Sequence, residues 1–158
     1  MSNEEHYLSD AIDVIEEVLA SGGEFRLFPK GTSMLPLLVQ GKDSVVLKRS
    51  EGACLKKHDI AFYRRTNGQF VLHRVMKIEA DGTYTMCGDN QFALERGIQP
   101  QQVIGYVSEI YKGERIKKLS SLRYRIYVFF WTFMPYRKAI RFPRRAMSAV
   151  KRRLMGNK

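Results

Sequence analysis

Residues 58–75 read HDIAFYRRTNGQFVLHRV. Two short runs rich in β-branched and aromatic residues flank TNGQ, and Asn-Gly between such runs is a strong hairpin signal. The reading extends outward in both directions. EFRLFP from Glu24 and DSVVLKR from Asp43 alternate in the manner of strands. After ADGT come YTMCGDN and then QVIGYVSEIYKGERIKKL, which reads as two more short strands. Short strands separated by turn residues predict a mainly β body, a coiled sheet or barrel, over residues 24–119. Before it, Leu8, Ile12, Ile15 and Leu19 recur at helical spacing among acids, and SGG ends the pattern. Residues 1–23 are therefore expected to form an amphipathic helix packed on the body.

The chain has 158 residues, 44% of them hydrophobic, enough for one compact domain with a core. Its net charge of +11 is unevenly placed. Residues 1–110 hold 12 Lys+Arg and 15 Asp+Glu, net −3, whereas residues 111–158 hold 15 Lys+Arg and Glu114 alone, net +14. A strongly basic end on a near-neutral body points to an anionic surface as partner. The acidic N-terminus lacks the features of a signal peptide, and no stretch is long and apolar enough to predict a membrane crossing. Cys54 and Cys87 are expected to be ordinary buried or half-buried thiols, and neither they nor His6, His58 and His73 have metal-ligand spacing. No metal or other cofactor is expected.

GTSMLP, residues 31–36, places Ser33 in a turn context. A serine there can simply bond its own backbone; as a nucleophile it needs a base and an oxyanion donor. His73 is the nearest base by chemical type, with an ordinary pKa near 6.5. Strand alternation puts it on the face of Val71 and Val75, opposite Phe70, Leu72 and Arg74, so a core role is open to it as well. Asp89, in CGDN, could orient a histidine or could bond its own turn.

The ordered set GTSMLP, GKD, HDI, LHRV, CGDN and VIGYV resembles the signal peptidase I superfamily, which also contains the self-cleaving repressors. The resemblance covers roughly residues 24–112. It implies that Ser33 is the nucleophile and that His73 is the base, as in the endoplasmic-reticulum and archaeal branch. Asp89 matches the aspartate of the Gly-Asp-Asn box and is favoured as the third member, with Glu95 as the rival acid. The Ser33 backbone N–H, helped by the Thr32 hydroxyl, would hold the oxyanion. Met34 would flank the substrate cleft or join the core, and Pro36 would stiffen the loop. The implied substrate is an extended leader or signal-type peptide with small side chains before the cut.

The sequence departs from the family pattern in four places. His58 stands where glycine is usual and must adopt a conformation that favours glycine. It is expected to be a surface turn residue. Lys42 separates Gly41 from Asp43. Gly31 replaces a hydroxyl residue found in many bacterial members. Residues 1–23 are also not expected to supply the N-terminal membrane anchor usual in the family.

Residues 120–158, basic and aromatic, could substitute for that anchor. IYVFFWTFMPY between Arg125 and Arg137 would span about 16 Å as helix, against a hydrocarbon core of about 30 Å. It suits a segment lying in the interface, and RRAMSAVKRRLM beyond it reads as a basic helix. Membrane-surface binding by this tail, separable from catalysis, is the expectation. An intramolecular lid over the body is the alternative.

The expected placement is membrane-associated, with a cytoplasmic one as alternative. A repressor-like reading is disfavoured, because residues 1–23 are too short for a DNA-reading domain and a linker. A nucleic-acid binder is disfavoured because the aromatics form one block rather than alternating with basic residues. A degenerate peptidase fold that binds only peptide or lipid is the remaining rival.

Overall fold

The computed structural model describes residues 3–49, 55–133 and 135–137, with residues 3–11 described as backbone alone. Helix α1 (Asn3–Ala20) opens the chain. Strands β1 (Glu24–Leu27), β2 (Asp43–Lys48), β3 (Ile60–Arg64), β4 (Phe70–Ile78), β5 (Tyr84–Cys87) and β6 (Glu95–Ile98) follow. A short 3₁₀ turn leads into β7 (Val103–Lys112), then β8 (Arg115–Lys117) and helix α2 (Leu122–Thr132). The fold is mainly β, as the sequence predicts: one antiparallel eight-stranded sheet in the order β1-β2-β7-β3-β4-β5-β6, with β8 also on β7.

The 58–75 stretch forms the expected hairpin, β3–β4, with Ala61 opposite His73 and Phe62 opposite Leu72. Gly68 adopts the left-handed conformation that the turn requires, at φ 84°. Both faces of the sheet are covered here. Ile60, Phe62 and Leu72 join Val45, Leu47, Val107 and Ile110 on one side, with Ile12, Ile15 and Leu19 of α1. Ala61, Tyr63 and Val75 join Tyr84, Met86 and Ile98 on the other. This second side is where β4 places His73, which is 1% exposed.

Tyr124 and Val128 of α2 belong to the first core. Ser121 caps the helix, its hydroxyl accepting from the Tyr124 N–H at 3.3 Å. The segment after Ser120 therefore begins as a helix, Leu122–Thr132, that packs on the body through Tyr124 and Val128. The basic helix expected within residues 144–155 lies outside the described residues, as does Cys54. Cys87 is a buried free thiol, as expected. Among the described residues no helix is long and apolar enough to cross a membrane.

Candidate active site

Ser33, Thr32 and Met34 line a cleft of about 490 Å³, and His73 lines the same cleft. Four consecutive residues of β4, Phe70 to His73, all contribute to its wall. Alternate side chains of a strand point to opposite faces, so the cleft lies against the strand's edge. The pairing explains this edge: β3 runs along one side of β4, whereas β5 joins the other side only from Arg74 onward.

The Ser33 segment is braced from outside. Its carbonyl accepts the Asn90 N–H at 2.7 Å. Gly88 sits directly beneath; a Cβ there would stand 2.7 Å from the same carbonyl oxygen. The Gly-Asp-Asn box thus has a steric reason for glycine, namely the close approach of two backbones. Ser33 is half-buried, Thr32 and Pro36 are exposed, and Met34 is both cleft wall and core at 4% exposure. Pro36 follows a cis peptide bond and does not line the cleft.

The acid beside His73 is Glu95. Its Oε1 lies 3.1 Å from His73 Nδ1, and the Tyr63 hydroxyl lies 3.2 Å from the same nitrogen. The Tyr63 hydroxyl donates to Glu95 Oε2 at 2.8 Å, and Arg65 Nε donates to that oxygen at 2.8 Å. Arg65 also pairs with Glu95 Oε1. A carboxylate on Nδ1 favours the tautomer that carries its proton there, which leaves the lone pair on Nε2. Burial pushes the His73 pKa below its ordinary value; Glu95 pulls it up and Arg65 pulls it down. Burial pushes the Glu95 carboxyl up, but the hydrogen bonds from Arg65 and Tyr63 outweigh it, and the net shift is downward. The pair is therefore a neutral imidazole beside an ionised carboxylate near pH 7.

Asp89, favoured by the sequence reading, is engaged elsewhere. Arg74 Nε and Nη2 grip its two oxygens at 2.8 and 2.7 Å, and the Tyr127 hydroxyl donates to Oδ2 at 2.9 Å. Both Arg74 and Asp89 are buried, at 0% and 2% exposure. Arg74 leaves β4 on the face opposite His73, next in sequence, so the carboxylate that Arg74 captures is directed away from the imidazole. Arg74 also donates to the His58 carbonyl at 2.9 Å and the Tyr124 hydroxyl at 3.0 Å. Asp89 is the centre of this buried pair, and the carboxylate on the ring is the rival Glu95, which corrects the expectation that Asp89 stands beside His73.

The turns at two of the departures are held by local bonds. His58 adopts φ 79° and is half-buried, and Asp59 accepts the Lys56 N–H at 2.8 Å. Asp43, buried at 1%, accepts the Val39 N–H at 2.7 Å across Lys42. Tyr63 and Arg65 were not picked out in the sequence. Their place in the hairpin gave the available signal: Tyr63 shares the strand face of Ala61, the partner of His73. Among the described residues no group of His, Cys, Asp and Glu could hold a metal ion. No protein-family model matches the chain, and no curated protein matches it.

Proposed function

We propose that the protein is a serine endopeptidase resembling signal peptidase I, with Ser33 as nucleophile, His73 as base and Glu95 as the group that orients His73. The observation that carries this reading is the shared cleft of Ser33 and His73, with the Glu95 carboxylate on His73 Nδ1. In the proposed reaction His73 Nε2 takes the Ser33 hydroxyl proton as Oγ bonds to the scissile carbonyl carbon. The Ser33 N–H, with help from the Thr32 hydroxyl, would stabilise the oxyanion. Collapse breaks the C–N bond, and His73 returns the proton to the leaving amine. Water, deprotonated by the same imidazole, then hydrolyses the acyl-enzyme and frees Ser33.

The edge of β4 beside the cleft suits an extended peptide, which can add there as a strand through main-chain hydrogen bonds. A leader or signal-type peptide is the proposed substrate class. The test is cleavage of such peptides by the purified protein. Ser33→Ala should abolish it while the melting temperature stays near that of the parent; full cleavage by Ser33→Ala would end the reading.

The proposed second partner is an anionic membrane surface, met by the outer face of α2. Leu122, Phe129 and Phe133 are 69%, 71% and 60% exposed, with Ile126 and Phe130 beside them. Arg123 and Arg125 are also exposed. An exposed apolar ridge flanked by arginines suits the headgroup boundary, where each cation adds about 1 kcal/mol and the aromatics a salt-resistant part. Phe129→Ser with Phe130→Ser should weaken co-sedimentation with phosphatidylserine vesicles and leave soluble-peptide cleavage intact. Equal co-sedimentation by the double variant would count against this partner.

A further inference from the structure

The loop of Gly88, Asp89 and Asn90 lies between the nucleophile segment and α2. On the first side the Asn90 N–H holds the Ser33 carbonyl at 2.7 Å. On the second, the Trp131 indole N–H donates to the Asp89 carbonyl at 2.8 Å. Arg137, only 1% exposed, donates to that carbonyl at 2.9 Å and to the Gly88 carbonyl at 3.1 Å. Tyr127 reaches the Asp89 carboxylate and stacks on Trp131, with ring centroids 5.6 Å apart. Buried carbonyls in a loop require donors, and here side chains at and just beyond α2 supply them.

We propose that Tyr127, Trp131 and Arg137 are positioning residues for Ser33. They fix residues 88–90, and those residues in turn fix the place from which the Ser33 hydroxyl attacks. This rests on the peptidase reading above. Around Ser33 the segment itself makes turn bonds, Leu35 N–H to the Thr32 carbonyl at 3.2 Å and Leu38 N–H to the Met34 carbonyl at 2.9 Å. The Asn90 contact ties it to the sheet-borne loop. A displacement of about 1 Å in an attacking group can cost about a hundredfold in rate. Loosening the brace should therefore slow chemistry without touching His73 or Glu95.

The experiment uses the full chain. Trp131→Phe keeps an aromatic ring on Tyr127 and deletes the indole N–H. Arg137→Met deletes the guanidinium, and Arg137→Lys retains a donor. Two readouts are needed: the rate at which an alkyl fluorophosphonate modifies Ser33, with fluoride leaving, and hydrogen exchange of the Asn90 amide. Both are measured well below the melting temperature of every variant. Trp131→Phe and Arg137→Met should each slow modification by about tenfold or more. Both should speed Asn90 exchange and leave the midpoint of the rate–pH profile unchanged, and Arg137→Lys should recover part of the rate. Unchanged modification rates and unchanged Asn90 exchange in both variants would overturn the proposal. So would rate losses that only track the folded fraction. If the parent protein is not modified at Ser33 but Asn90 exchange still rises in the variants, the peptidase reading fails and the brace stands.

Discussion

Replacing Glu95 by Gln and Asp89 by Asn should separate two carboxylates that the sequence treats as rivals. Glu95 Oε1 lies 3.1 Å from His73 Nδ1. At an effective dielectric constant near 20, a full charge at that distance would stabilise the imidazolium by about 5 kcal/mol. Arg65 is bound to the same carboxylate and cancels much of it. A residual of about 1.5–3 kcal/mol corresponds to a loss of about 10- to 150-fold in kcat for Glu95→Gln. Glu95 raises the His73 pKa, so its loss should also move the acidic limb of the rate–pH profile further down.

Asp89→Asn acts differently, because it leaves the fully buried Arg74 without its anionic partner. Breaking a buried pair from one side costs about 3–5 kcal/mol, or about 10 °C in melting temperature for a chain of this size. The assay is kcat and thermal melting of both variants from pH 5 to 9. A silent Glu95→Gln beside an Asp89→Asn that melts normally but loses the acidic limb would refute the assignment.

Other outcomes follow from the same geometry. Arg65→Gln removes a cation that depresses the His73 pKa, so the acidic limb should move up in pH, read from kcat/KM profiles. In the parent protein that limb should fall below pH 6.5, because activity needs the neutral ring and burial already favours it. Gly88→Ala should abolish cleavage, since its Cβ would stand 2.7 Å from the Ser33 carbonyl oxygen, a backbone atom that must move; unaltered turnover would contradict the close approach. His58→Gly relieves a left-handed backbone worth about 1 kcal/mol and adds unfolded-state entropy of similar size. Its melting temperature should stay within about 2 °C of the parent and cleavage should be unchanged, whereas a catalytic His58 would show as lost turnover.

The hairpin at 58–75 was legible because turn chemistry and alternation agree there, and the same alternation put His73 on the face of Val71 and Val75. Strand β6 was not legible. ERGI has two charges and a glycine and lacks the strand pattern, yet pairing of Glu95 with Met86 on β5 makes it an edge strand. That pairing brings Glu95 to the imidazole, a contact between residues far apart in sequence. Asp89 misled because a motif position says which loop a carboxylate occupies, whereas its partner is set by side-chain direction. Arg74, one residue after the histidine, points to the other face and captures it. The aromatic run after Ser120 carried little face signal because, beyond Arg123 and Arg125, every position from Ile126 to Trp131 is apolar or aromatic. Only packing separates Tyr124, Tyr127, Val128 and Trp131, which meet the body, from Leu122, Ile126, Phe129 and Phe130, which face outward.

The most direct test of the central claim is covalent modification by an alkyl fluorophosphonate, with the adduct located by mass spectrometry in the parent protein and in His73→Ala. A single adduct on Ser33 is expected, formed faster as pH rises through the His73 titration, with a loss of at least a hundredfold in rate without the imidazole. An unmodified Ser33, or a Ser33 modified equally fast in His73→Ala, would contradict it.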